Sequence, residues 1–205
     1  MKAPKGVWPL VLVAPLLVAA ASCLGGSRHP LSDEKTSTID GRLVGRWRAA
    51  DDSYSGTFVV SRLGASRLEA ASLEKSPGGE QEKYSLFTTS IGSHSYMSVG
   101  SVAEKGRAAV EAGYRIVEYS LPDKDTLVIR DMDEEKVTAA IKAKELRGKA
   151  ESHNEYAWLF GWIPVPYTTT SVMIDDSPKA LVRYVQKHAD DCFEKTAMLT
   201  LKREK

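Results

Sequence analysis

"RLVGRWRAADDSYSGTFVVSRL" occupies residues 42 to 63. Two apolar-containing runs, 42–50 and 57–63, flank the turn-forming "DDSYSG" (51–56), and the stretch reads as two antiparallel strands. The same unit repeats outward. "SRLEAASLEK" (66–75) follows the turn at Gly64, and "SPGGEQ" (76–81) is another turn. "KYSLFTTS" (83–90), "SYMSVGSV" (95–102), "YRIVEYSL" (114–121) and "DTLVIRDM" (125–132) continue the series, with Gly or Pro–Asp between them. Many short strands at regular spacing predict a barrel or a sandwich. The alternation is imperfect. Phe58, Val60 and Arg62 oppose Val59, Ser61 and Leu63, so periodicity alone does not assign a face.

After residue 132 the period changes. "DEEKVTAAIKAKELRG" (133–148) has acids in its first turn and Gly148 in the place of a C-terminal cap. It predicts a short amphipathic helix with Val137, Ala140 and Ile141 on one side. "TTTSVMIDD" (168–176) is strand-like. "SPKALVRYVQKHADDC" (177–192) predicts a second helix, with Ser177 as cap and Pro178 at the first helical position. Leu181, Tyr184, Val185, His188 and Cys192 form its apolar stripe, which makes Cys192 a buried thiol and His188 a half-buried, satisfied side chain. "KTAMLTLKR" (195–203) predicts a last strand.

The N-terminus reads as a targeting segment. Lys2 and Lys5 precede the apolar "GVWPLVLVAPLLVAA" (6–20), and small residues lead to "AASC" (20–23). That order is a secretory leader over residues 1–22. An uncleaved membrane helix is the alternative, because the uncharged run is long enough to span. The leader resembles bacterial lipoprotein signals, with Ala20 where their pattern has Leu. The resemblance implies cleavage before Cys23 and acylation of Cys23. Ordinary cleavage after Ala21 or Ser22 would instead leave Cys23 a plain thiol, free to pair with Cys192. Leu24, not Asp, follows Cys23, which by the same resemblance implies the outer membrane, facing the periplasm. "LGGSRHPLSDEKTSTID" completes residues 23–40 as a flexible tether, and 41–205 form one domain. Losing Lys2 and Lys5 takes the 28 basic side chains to 26, against 27 acidic ones. That balance gives no electrostatic reason to expect nucleic acid.

"VGRW" (44–47) resembles the Gly-x-Trp signature at the first strand of lipocalins and the wider calycin group. Strand order and size resemble it too, and the likeness could cover 41–203, closest to small lipocalin-like bacterial lipoproteins. It implies an antiparallel barrel of eight or nine strands with two short helices late in the chain. It further implies that Trp47 plugs one barrel end with Arg203 lying across its ring, a structural pair. No counterpart of the second lipocalin signature is found, and the helix at 134–147 is an addition to the pattern. The interior could therefore be hollow or filled by its own side chains.

The chain is only 8% aromatic, yet "EYAWLFGWIPVPY" (155–167) holds Tyr156, Trp158, Phe160, Trp162 and Tyr167. Tyr156, Trp158, Phe160 and Trp162, two apart, share a face if the chain is extended, and Pro164 and Pro166 oppose a helix. They are candidates for contact with a ligand or a partner, with packing over a barrel end as the plain alternative; a membrane-touching surface is the third reading, which a lipid at Cys23 makes unnecessary for anchoring. Catalytic patterns are missing. His29, His94, His153 and His188 have no metal-ligand spacing, and there is no nucleophile elbow, phosphate loop or His-Glu-x-x-His. The paired acids fall at turns and helix ends. The expectation is a non-enzymatic protein without cofactor or metal, anchored to a membrane by its N-terminal lipid. It would bind an apolar small molecule or lipid, or else serve as a filled-barrel module docking onto an envelope protein.

Overall fold

The computed structural model describes residues 26–50, 56–75, 81–102, 113–159 and 163–205, with backbone alone at 75, 153–159 and 163–169. Cys23, Phe160 and Trp162 lie outside the described residues, as do the leader and the chain up to residue 25. The elements in chain order are β1 (Gly26–Ser27), a 3-10 turn (Gly41–Leu43), β2 (Gly45–Ala49), β3 (Thr57–Leu63), β4 (Arg67–Lys75), β5 (Gln81–Ile91), β6 (His94–Ser101), β7 (Tyr114–Asp123) and β8 (Thr126–Asp131). Then come α1 (Glu134–Lys142), β9 (Gly148–Leu159), β10 (Ile163–Ile174), α2 (Pro178–Lys187) and β11 (Leu199–Arg203).

Eight strands close into an antiparallel barrel. Strands β2 to β8 follow in order, β6 pairs with β7, and β11 slots between β8 and β2 to complete the ring. The mainly β fold and the two late helices expected from the sequence are both present. The three remaining strands extend the wall outward: β1 pairs antiparallel with the start of β7 and parallel with the end of β10, and β9 is the hairpin partner of β10.

Two apolar clusters explain why β7 does not alternate, whereas β3 buries Phe58 and Val60 inward and leaves Ser61, Arg62 and Leu63 exposed. One fills the barrel, including Trp47, Phe58, Val60, Met97, Val117 and Leu201. The other lies outside the wall beneath the helices, including Tyr96, Ile116, Val137, Leu181, Val185 and Cys192. Neighbours Ile116 and Val117 thus point to opposite faces and are both buried. A wall strand covered on both sides loses its polar face, so its sequence runs apolar without a period of two.

The helices start where their caps predict and end early. Asp133 accepts from the Lys136 N–H and caps α1. The helix stops at Lys142, not near Gly148, because the chain turns through Lys144 at φ 61° and drives Leu146 into the outer core. Gly148 is instead the first residue of β9, where a Cβ would stand 2.6 Å from the Met173 carbonyl oxygen. Ser177 caps α2, which ends at Lys187 with His188 as its cap. Cys192 lies beyond the helix in a turn, its N–H donating to His188 O at 2.9 Å, and it is fully buried.

The flexible tether read over 23–40 is corrected from Gly26 onward. Residues 26–27 are sheet, and the rest runs as a strap along β6 and β5, with Leu31 in the outer cluster and Ile39 packed on the barrel core. The Leu31 N–H donates to Ser98 Oγ at 2.9 Å, and the Thr38 N–H donates to Thr88 O at 2.9 Å. Ser27, Leu31 and Ser32 are buried. Composition misleads here because one leucine and main-chain hydrogen bonds, not an apolar stripe, hold the segment. The described part of "EYAWLFGWIPVPY" is β-hairpin, a regular outcome where the sequence allowed extended or irregular chain.

Candidate ligand-binding cavity

The barrel has a closed end and an opposite end. At the closed end the Trp47 ring is fully buried, and its indole N–H donates to Leu43 O at 2.7 Å. The Arg203 guanidinium carbon lies 4.2 Å from the ring centroid. Its donors go to the Val44 carbonyl at 2.8 Å, the Arg42 carbonyl at 2.5 Å and the Lys124 carbonyl at 3.0 Å. Trp47 and Arg203 therefore meet across the β2–β11 ladder, where they are direct partners. Gly45 sits at φ +143°, and a Cβ there would stand 2.4 Å from Arg203 Nη1. The Gly-x-Trp spacing follows from this: a bare backbone at 45 admits the arginine that covers the ring at 47.

Above Trp47 the interior holds a cavity of about 110 Å³. Phe58, Val60, Ala70, Leu86, Met97 and Val117 are among the side chains lining it. At the end away from Trp47 it reaches Tyr84, Arg115, Met198 and Leu199. Arg115 Nε donates to both Asp131 carboxylate oxygens at 3.1 Å, and its Nη2 pairs with Oδ2. The head group is thus committed, and Arg115 presents its carbon stem to an apolar cavity. Sequence reading missed this pair. The signal was there: Arg115 is in phase with Val117 and Tyr119 on β7, and Asp131 with Leu127 and Ile129 on β8, so both are charges on inward positions.

The other candidates fall elsewhere. Tyr156 and Trp158 lie in β9, with Pro166 and Pro164 as their ladder partners, and no described contact brings them to the cavity. Cys192, pushed up to about 12 by burial with a smaller push from Asp191, stays a neutral thiol at ordinary pH. His188 packs at a tilt against the Tyr184 ring, with centroids 4.7 Å apart, and shares Glu145 with Lys187 on the surface. His94 bonds Glu118 at 2.6 Å on the outer wall beside Tyr96, whose buried hydroxyl finds no partner among the described residues. Among the described residues no three His, Cys, Asp or Glu are grouped to hold a metal. No described helix is long and apolar enough to cross a membrane.

Fold and cavity together define a closed eight-stranded antiparallel barrel with a small apolar interior and an outer helical layer. Comparison with known proteins gives no relative: no family model, no curated protein and no solved structure matches the chain.

Proposed function

We propose that this is a lipocalin-like bacterial lipoprotein, acylated at Cys23 and held at the outer membrane, whose barrel takes the apolar end of a small molecule or lipid. The observation that carries the reading is the cavity of about 110 Å³, lined by apolar side chains above a sealed Trp47 end. The size sets what fits. An engineered cavity of about 150 Å³ holds benzene, whereas pockets for whole drug-sized ligands run to roughly 300–1,000 Å³. The occupant is then a slender group, such as the last carbons of an acyl chain entering tail first, each CH2 contributing about 0.8 kcal/mol. The role is binding without catalysis or cofactor.

The same small volume favours a second reading, in which the barrel is essentially filled and the protein docks onto an envelope partner. One experiment separates the two. Native mass spectrometry and a fatty-acid binding screen on the purified protein are expected to show an apolar ligand that Ala70→Phe displaces, because Ala70 lines the cavity. No ligand in either measurement removes the binding reading and leaves the filled barrel. Acylation is tested separately: palmitate labelling in cells is expected, and its survival in Cys23→Ser would overturn the anchor.

A further inference from the structure

The barrel cavity is shallow, and a guanidinium stands at its far end. On β7 Arg115 and Val117 line it, and Tyr119, the next inward residue, is buried below it. On β8 Leu127 and Ile129 line it, and Asp131 follows in the same phase. Inward neighbours on one strand stand about 7 Å apart, so the space is two side-chain levels deep. The volume says the same. A cavity of about 150 Å³ holds benzene. At the same volume per carbon, a space of about 110 Å³ takes a chain of about four carbons.

Arginine is rarely placed on the wall of an apolar cavity. A buried ion pair adds little net stability over apolar residues of the same size, and the ladder already joins Val117 of β7 to Asp131 of β8. Holding the two strands together therefore does not require Arg115. Its pairing also leaves part of the guanidinium unused. Asp131 takes the edge formed by Nε and Nη2. The other edge is formed by Nη1 and the second Nη2 hydrogen, and no described residue accepts from Nη1. With no described partner and outside the set of buried orphan atoms, Nη1 is accessible. Tyr84 is the one other lining side chain with a strong polar group, and its hydroxyl donates to Glu82 at 2.7 Å. The cavity thus offers a ligand one directed donor pair, at its far end, on Arg115.

We infer that the ligand is a short aliphatic monocarboxylic acid of about five or six carbons, its chain filling the cavity and its carboxylate bridging Nη1 and Nη2 of Arg115. The inference rests on the ligand-binding reading and narrows it from the end of an acyl chain to a whole small acid. Asp131 neutralises the arginine, so the carboxylate is held by directed, charge-assisted hydrogen bonds rather than by a net positive field. Asp131 is the positioning residue, because it fixes the plane of the fork. A longer acid carries its carboxylate past Arg115, and a shorter one leaves the floor of the cavity empty.

The test is a chain-length series on the purified full chain, read by calorimetry and by ligand-observed NMR. Acids from acetic to palmitic are each compared with the alcohol of the same length. Affinity is expected to rise about fourfold per CH2 up to about five or six carbons and to fall beyond them. Hexanoate is expected to bind about tenfold tighter than hexanol. Arg115→Lys keeps the charge and loses the fork, and is expected to lower that acid-to-alcohol ratio about fivefold. Arg115→Met with Asp131→Leu removes both charges together, which avoids a buried unpaired carboxylate, and is expected to bring the ratio to about one. Tightest binding by the long-chain acids overturns the short-acid inference and leaves the acyl-chain reading standing. Equal binding of acid and alcohol by the native protein, or a ratio that survives in both variants, removes Arg115 from the site and overturns the inference. Binding of no acid and no alcohol overturns the inference and the ligand-binding reading together.

Discussion

Arg203 Nη1 occupies the space that a side chain at Gly45 would need, 2.4 Å from where its Cβ would stand. The two residues lie at opposite ends of the domain sequence and are joined through Trp47, the ring that the arginine covers. Glycine, tryptophan and arginine thus form one device that seals the barrel.

Gly45→Ala is expected to destabilise the domain by about 3 kcal/mol, combining backbone strain at positive φ with loss of the guanidinium contact. For a domain of this size that is a fall in melting temperature of about 10 °C. Arg203→Lys, which keeps the charge and loses the fork, is expected to cost about 2 kcal/mol. In the double variant the second change should add little, since the first has already expelled the arginine. Calorimetry on the four chains measures this; additive losses would separate Gly45 from Arg203.

Alkali is expected to unfold the protein early. Burial raises the Cys192 thiol from 9.0 to about 12 and the Tyr184 phenol from 10.0 to about 12, and it raises Tyr96 and Tyr119 further. Below about pH 9 these groups are neutral in both states and their contribution is whole. Above it the unfolded chain releases their protons first, so stability is lost as pH rises toward the folded values. The urea midpoint should fall between pH 8 and about 10.5, and Cys192→Ala should flatten part of that slope. A midpoint unchanged over this range would contradict the burial of all four. Native Cys192 should also resist a thiol reagent that reacts at once in urea.

Acid acts through Asp176, a buried carboxylate beneath the start of α2. Burial raises it, but the Arg147 N–H at 2.6 Å and the Arg147 Nε at 3.0 Å outweigh this and hold it below its ordinary value of 3.8. Its contribution is present above that value and is lost as pH falls below it. Asp176→Asn is expected to cost about 2 kcal/mol at pH 7, the scale of a buried bond to a charged group. The difference between the two chains should shrink below about pH 4 in chemical denaturation.

Much of this was legible. Turn residues such as Gly64 and caps such as Ser177 act locally, so the strands and helix starts could be read from neighbours in sequence. Trp47 and Arg203 became legible through a family resemblance, and their reason through Gly45. What stayed hidden depends on distant chain. Nothing near Ile116 and Val117 says that helices starting at Glu134 and Pro178 will bury the outer one. Leu31 could not announce that Ser98 would receive its main chain. β1 is two residues long, too short for any period. The Arg115–Asp131 pair was hidden because a charged residue within a strand reads as surface until its phase is known.

Closure by β11 also orders events in time. Ala49 pairs with Leu201, so the ring joins an early segment to a late one, and the contact spans nearly the whole domain. Such a link is entropically slow to form. While Leu199–Arg203 is still unmade, β2 and β8 are open edges and Trp47 has no lid. The growing chain therefore stays unlocked through most of its synthesis, and the step that seals it is the last.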